Sequence, residues 1–175
     1  MAMTKPPPVK LRPLTMDDFP GVLNWGKDKK FCLANGWELN RDEEELYNWW
    51  LRCVKNESGD FTRMGIEYDD RLIGYADLAC LQGHTAELGI AIGESTLWGQ
   101  GIGAKAARCM IEFGFEKLGI TVFTAETHES NVRSGKMLEK LGFKEISRIG
   151  HEVYMEKETR LVQYLFSFSE NGVKL

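Results

Sequence analysis

The stretch Trp98-Gly99-Gln100-Gly101-Ile102-Gly103-Ala104 decides how this chain is read. Three glycines at alternate positions leave little side-chain bulk on a turn. An apolar, strand-like run (Leu88 to Ile92) precedes it, and an amphipathic helical pattern begins near Gly103. A glycine-rich turn feeding a helix exposes backbone N–H groups at the positive end of the helix dipole. Phosphate groups bind such places.

Outward from this loop, the chain reads as alternating strands and helices. Val9 to Leu14 alternates like a strand, and Thr15, Asp17 and Asp18 mark a helix start with Phe19, Val22 and Leu23 at helical spacing. The region Cys32 to Leu39 shows no period and reads as a loop. Asn40, with Glu43 three residues on, predicts a capped helix whose apolar face is Leu46, Trp49, Trp50 and Cys53. Phe61 to Tyr68 and Arg71 to Cys80 read as strands joined at Asp69-Asp70. Gln82-Gly83-His84 turns the chain into the strand Thr85 to Gly93. Beyond the glycine loop, Ala106, Cys109, Met110 and Phe113 mark the inward face of a helix. A strand over Thr121 to Thr127 follows, then a helix from Asn131 to Leu141 with Gly142 as its left-handed cap. Phe143 to Tyr154 and Leu161 to Phe168 close the order as two strands, joined by a charged connection from Met155 to Arg160. The predicted fold class is mixed α/β: one twisted, mostly antiparallel sheet flanked by helices on both faces.

The 175 residues fit one domain, placed at 9–170 behind a flexible tail at 1–8. A net charge of -4 and no Lys/Arg cluster argue against a nucleic-acid partner. The four cysteines and three histidines are scattered without ligand spacing, so no metal is expected and the thiols suit a reducing, cytoplasmic setting. No apolar run approaches the roughly 20 residues of a membrane helix.

Three phosphate-binding readings compete for the loop. A Walker loop needs Gly-Lys followed by Ser or Thr, whereas Ala104 precedes Lys105 and Ala106 follows it. The dinucleotide fingerprint fits formally as Gly99, Gly101 and Ala104, with Glu126 downstream. However, Glu94 to Leu97 separate the turn from its strand, and too little chain remains for a dinucleotide domain. The third reading is an acyl-CoA pyrophosphate site. Glu87-Leu88-Gly89-Ile90-Ala91-Ile92-Gly93, the glycine loop, Asn131-Val132-Arg133-Ser134 and Glu139-Lys140-Leu141-Gly142-Phe143, in that order, resemble the GNAT family of N-acetyltransferases. The opening Leu11-Arg12-Pro13-Leu14 resembles its branch of ribosomal-protein and polyamine acetyltransferases. Trp98 stands where the family usually has Arg or Gln.

The resemblance implies transfer of an acetyl group from acetyl-CoA to a primary amine, on a small molecule or a protein N-terminus. A CoA-binding module without turnover is the rival class. The pantetheine arm is expected beside the backbone of Ile90 and Ile92, as an added strand. Gly99, Gln100, Gly101, Ile102, Gly103 and Ala104 are expected to hold the pyrophosphate, and Asn131 to touch the pantetheine. Removing a proton from an alkyl ammonium at neutral pH costs roughly 4 kcal/mol, so a base is sought. Glu87, beside Gly89 and Ala91 on one strand face, is the first candidate, against a salt-bridged place at the rim. Glu126 is the second. Many relatives carry a tyrosine as general acid where this chain has Leu138, which leaves Ser134, a water or no specific acid. Trp37, Trp49, Trp50 and the Asp42–Glu45 run read either as an acidic aromatic acceptor pocket or as core and helix N-terminus. The chain is expected to be a monomer or homodimer.

Overall fold

The computed structural model describes residues 8–168. Most of the predicted N-terminal tail (residues 1–7) and residues 169–170 of the predicted domain lie outside them. Eight strands make an open sheet in the order β1-β2-β3-β4-β5-β8-β6, with β7 paired to β8. The strands are β1 (Val9–Arg12), β2 (Thr62–Tyr68), β3 (Arg71–Gln82), β4 (Thr85–Ile92), β5 (Val122–His128), β6 (Lys144–Ser147), β7 (His151–Tyr154) and β8 (Lys157–Ser167). The helices are α1 (Phe19–Trp25), α2 (Lys29–Asn35), α3 (Glu43–Lys55), α4 (Ile102–Leu118) and α5 (Val132–Lys140). All strand pairs are antiparallel except β4 with β5. The predicted mixed, mostly antiparallel architecture is therefore the observed one.

Strand alternation gives the sheet two apolar faces, and helices cover both. On one face, α4 and α5 bury Ile102, Ala106, Met110, Ile111 and Leu138 against Leu78, Leu88, Phe123 and Tyr164. On the other, Val22, Trp25, Phe31, Leu46 and Trp50 of α1–α3 pack against Leu72, Tyr75 and Ala91. An ion pair is set into this second face. Arg63 of β2 donates through Nε and a terminal nitrogen to Asp77 of β3 at 2.6 and 2.7 Å. Its guanidinium lies 4.1 Å from the Tyr75 ring centroid and 5.4 Å from that of Trp49, and it donates to Cys53 Sγ at 3.2 Å. Burial pushes the Asp77 carboxyl up from its ordinary value.

Four sequence-based expectations are corrected. Cys32 to Leu39 is not all loop, since α2 runs through Asn35. Asp28 caps that helix by accepting from Phe31 N–H, and Gly36 ends it in the left-handed conformation. The predicted cap of α3 at Asn40 moves to Asp42, which accepts from Glu45 N–H. The buried stripe of α4 is Ala106, Ala107, Met110, Ile111 and Gly114, with Cys109 and Phe113 at its margin. Gly114 belongs there because a Cβ would come within 2.9 Å of Leu78 Cδ1. Finally, Phe143 to Tyr154 is not one strand. The chain breaks at Arg148–Gly150, and β6 and β7 pair with different parts of β8. The turn into β8 uses Met155 and Glu156, both at positive φ, without the glycine or asparagine that usually signals a hairpin.

Asp28 also ties the helical layer to the glycine loop, because its second oxygen accepts from Ser95 N–H at 2.8 Å. Burial alone would raise its carboxyl, but the bonds from Ser95 and Phe31 outweigh that and hold it below the ordinary range. A depressed folded-state pKa contributes stability above the unfolded value, near 4, and that contribution is lost as pH falls through the folded value. Replacing Asp28→Ala should cost about 1–2 kcal/mol in urea unfolding at pH 7. The gap from wild type should narrow below about pH 4.

Candidate active site

β4 and β5 pair over only three rungs, Thr85–Val122, Ala86–Phe123 and Glu87–Thr124, and then part. Gly93 N–H bonds back to β3 at the Ile73 carbonyl. The alternation of an antiparallel edge then turns the backbone groups of Ile90 and Ile92 toward the gap. Trp98 Nε1 donates to the Ile92 carbonyl at 2.9 Å, so among the described residues Ile90 keeps its donor and acceptor on this edge unpaired. The gap opens into a cleft of 860 Å³.

The glycine loop forms one wall. Gly99 and Gly101 have φ of 80° and 78°, a region that favours glycine, and Gly101 is the N-cap of α4. The first amide of this stretch with an internal acceptor is that of Lys105, which donates to Gly101 O. The N–H groups of residues 99–104 have no acceptor among the described residues, and they gather at the positive end of a 17-residue helix. Trp98 anchors this loop twice, through its bond to Ile92 and through Arg133, whose guanidinium lies 4.5 Å from the indole centroid.

The other sequence candidates fall at defined places. Ile90, Ile92, Gly99, Gly101, Ile102, Gly103, Ala104, Asn131 and Ser134 all line the cleft. Gln100 does not, and its side chain donates to the Thr96 carbonyl at 3.1 Å. Asn131 caps α5 by accepting from Ser134 N–H at 3.3 Å, while its Nδ2 has no partner among the described residues. Glu87 sits at the last paired rung and is not in the lining. Glu126, two residues past Thr124 on the same face of β5, is in it. Leu138 also lines the cleft but is 3% exposed, an aliphatic side chain of the core.

The acidic aromatic segment does not line the cleft. Asp42 and Glu43–Glu45 occupy the N-terminus of α3, Trp50 is fully buried, and Trp37 packs on Phe31 and Trp49. Instead, Ala34 and Asn35 from α2 and Tyr154 from β7 belong to its lining, as Glu126 does. Sequence reading missed all three. The Asp28 and Gly36 caps flanking α2 are the signal that could have found Ala34 and Asn35; nothing local marks Tyr154, whose ring stacks on His128 at 4.6 Å. Charge is divided within the cleft. Arg133, Lys136 and Lys140 line it from α5, with Glu139 the acid among them, whereas Glu126 is the carboxylate contributed by β5. The described residues contain no acid–thiol–imidazole group that could hold a metal ion, and no helix long and apolar enough to cross a membrane.

Residues 9–144 match the acetyltransferase (GNAT) domain. The chain belongs to the GNAT acetyltransferase family. The fold superposes on a spermidine N-acetyltransferase from Vibrio cholerae, solved with CoA and spermine, with a TM-score of 0.77. That match has 17% identity and covers 91% of this chain and 95% of the other. A ribosomal L7/L12 alpha-N-protein acetyltransferase in complex with coenzyme A gives 0.79 at 14% identity, covering 91% and 93%. In sequence, this GNAT chain is 38% identical over 73 residues to an N-acetyltransferase 9-like protein of Nematostella vectensis, covering 42% of this chain and 36% of the other. The matches span 21% to 36% of the lengths of the curated relatives. Acetyl-CoA is the cosubstrate of the family.

Trp98→Phe keeps a ring for Arg133 but removes the donor to Ile92. It should lower stability by about 1 kcal/mol, the net worth of one hydrogen bond, in thermal or urea unfolding.

Proposed function

We propose that this chain is an acetyl-CoA-dependent N-acetyltransferase acting by direct transfer on a primary amine, of a small molecule or a protein N-terminus. The observation that carries the reading is the coincidence of three features in one cleft. These are unsatisfied amides on the glycine loop, a free strand edge at Ile90, and a carboxylate at Glu126. The residues fit the cosubstrate: open N–H groups at a helix N-terminus suit a diphosphate, and an unpaired strand edge suits an amide-bearing pantetheine arm.

Acetyl-CoA supplies the acyl group as an activated thioester. The amides of Gln100, Gly101, Ile102, Gly103 and Ala104 hold the diphosphate, each bond to a charged group contributing roughly 1.5–3 kcal/mol. Arg133, Lys136 and Lys140 add positive charge along the same cleft, which fixes the direction in which a polyanionic cosubstrate lies. Ile90 pairs with the arm, and Asn131 Nδ2 is free to bond it. Glu126 takes the proton of the acceptor ammonium and passes it to solvent. It is preferred to Glu87 because it lines the cleft, whereas Glu87 stands at the closed end where the strands still pair. Ser134 and Tyr154 bring hydroxyls to the cleft, and either can stand by the departing sulfur in place of the residue at Leu138.

Leu138 in the core favours one other reading, a GNAT-like module that binds CoA without turnover. Thiol release from acetyl-CoA with a panel of amines, including spermidine and peptides with free N-termini, separates the two. Turnover with any amine supports the enzyme. A melting temperature raised by CoA with no thiol release supports the sensor.

Two substitutions follow from the assignments. Gly101→Asp places negative charge and a strained left-handed residue at the loop, and should weaken CoA binding about tenfold or more by calorimetry. Glu126→Gln should lower kcat at neutral pH about a hundredfold and leave CoA affinity intact. Glu87→Gln should be the milder change.

A further inference from the structure

One side chain beside Glu126 uses its hydrogen-bonding capacity in full. Gln163 of β8 stands directly opposite Glu126 in the β5–β8 register. Its Nε2 donates to Glu126 Oε2 at 2.7 Å and to the Ile149 carbonyl at 2.9 Å. Its Oε1 accepts from Ser147 Oγ at 2.8 Å and from Ile149 N–H at 2.9 Å. A backbone N–H only donates and a backbone carbonyl only accepts. Ile149 therefore dictates which end of the carboxamide is nitrogen, and the nitrogen faces Glu126. Two donors into Oε1 polarise the amide and strengthen what Nε2 gives. Glu126 Oε1 has no partner among the described residues.

We propose that Gln163 is the positioning residue for Glu126: it pins one carboxylate oxygen and ties it to the Ser147–Ile149 segment, leaving the other oxygen for the acceptor amine. The proposal rests on the reading of Glu126 as the proton acceptor. The proton goes from the acceptor nitrogen to Glu126 Oε1 and on to solvent, while Gln163 neither gains nor loses one. The segment between β6 and β7 is thereby joined to the base through a single side chain, since Ser147 and Ile149 both end on Gln163. Other ionisable groups on this face include Glu87 of β4, His128 of β5, Lys144 of β6 and the Arg63–Asp77 pair of β2 and β3. His128 Nε2 lies 3.1 Å from Glu152 Oε2 of β7. Arg148, next to Ile149, is paired with Glu129 and Glu145.

Three variants test the proposal. Gln163→Glu puts an oxygen where Nε2 stands, against Glu126 and the Ile149 carbonyl, and makes a like-charged pair. The acid limb of its kcat/KM–pH profile should move to higher pH by about one unit. Gln163→Met should lose about tenfold in kcat, with KM for acetyl-CoA and the dissociation constant of CoA within about twofold of wild type. Ser147→Ala removes one donor to Oε1 but leaves both Nε2 bonds in place, and should lower kcat less than Gln163→Met does. NMR titration of the Glu126 side-chain carboxyl carbon, assigned by its loss in Glu126→Gln, reads the same coupling without turnover. That signal should titrate at higher pH in Gln163→Glu than in wild type.

An unmoved carboxyl titration in Gln163→Glu, or a variant with lowered melting temperature but unchanged kcat and pH profile, overturns the proposal and reduces Gln163 to a structural tie. Wild-type turnover in Glu126→Gln overturns the base assignment instead, and the proposal with it, whatever the titration shows.

Discussion

The parting of β4 from β5 is the constraint on which the site depends. A parallel pair that continued past its third rung would satisfy the backbone of Ile90 internally, and there would be no cleft. The separation is held from β4's other side by close glycine contacts. A Cβ at Gly74 would lie 2.1 Å from the Ala91 carbonyl, and one at Gly93 would lie 2.2 Å from the Trp25 ring. The strand is therefore drawn toward β3 and the aromatic layer. Trp98 and Asp28 then fasten the following loop, one to the end of β4 and one to α2. The helical layer over α1–α3 thus positions a glycine loop that it does not itself contain.

Much of this was legible in the residues. Alternation identified β4 and its apolar face, the glycine spacing identified the turn into α4, and Asn131 was recognisable as a helix start. What escaped was whatever depends on contacts distant in sequence. The seven residues of α2 carry too little period to show. The break between β6 and β7 is decided by how β8 pairs with both, not by local composition. The carboxylate in the cleft is the sharpest case. Glu87 and Glu126 are both strand residues on the same face, and no local pattern separates them. Only the place where the strands diverge puts one in the cleft and leaves the other at its closed end.

Leu138, where the family resemblance leads one to expect a tyrosine, is packed into the core with Met110 and Ile111. The polar wall is supplied by other elements: Asn131 and Ser134 one or two turns earlier, and Tyr154 from β7.

The partly buried pair of Arg63 and Asp77 has a consequence for descent. Removing either partner alone strands an uncompensated charge beneath α3, while replacing both with apolar side chains of similar volume can be close to neutral. Single steps through sequence space are therefore steep at these two positions and the double step is shallow. Lineages that diverge from this chain should keep the arginine and the aspartate together or lose them together, and the pair should leave a covariation signal between β2 and β3.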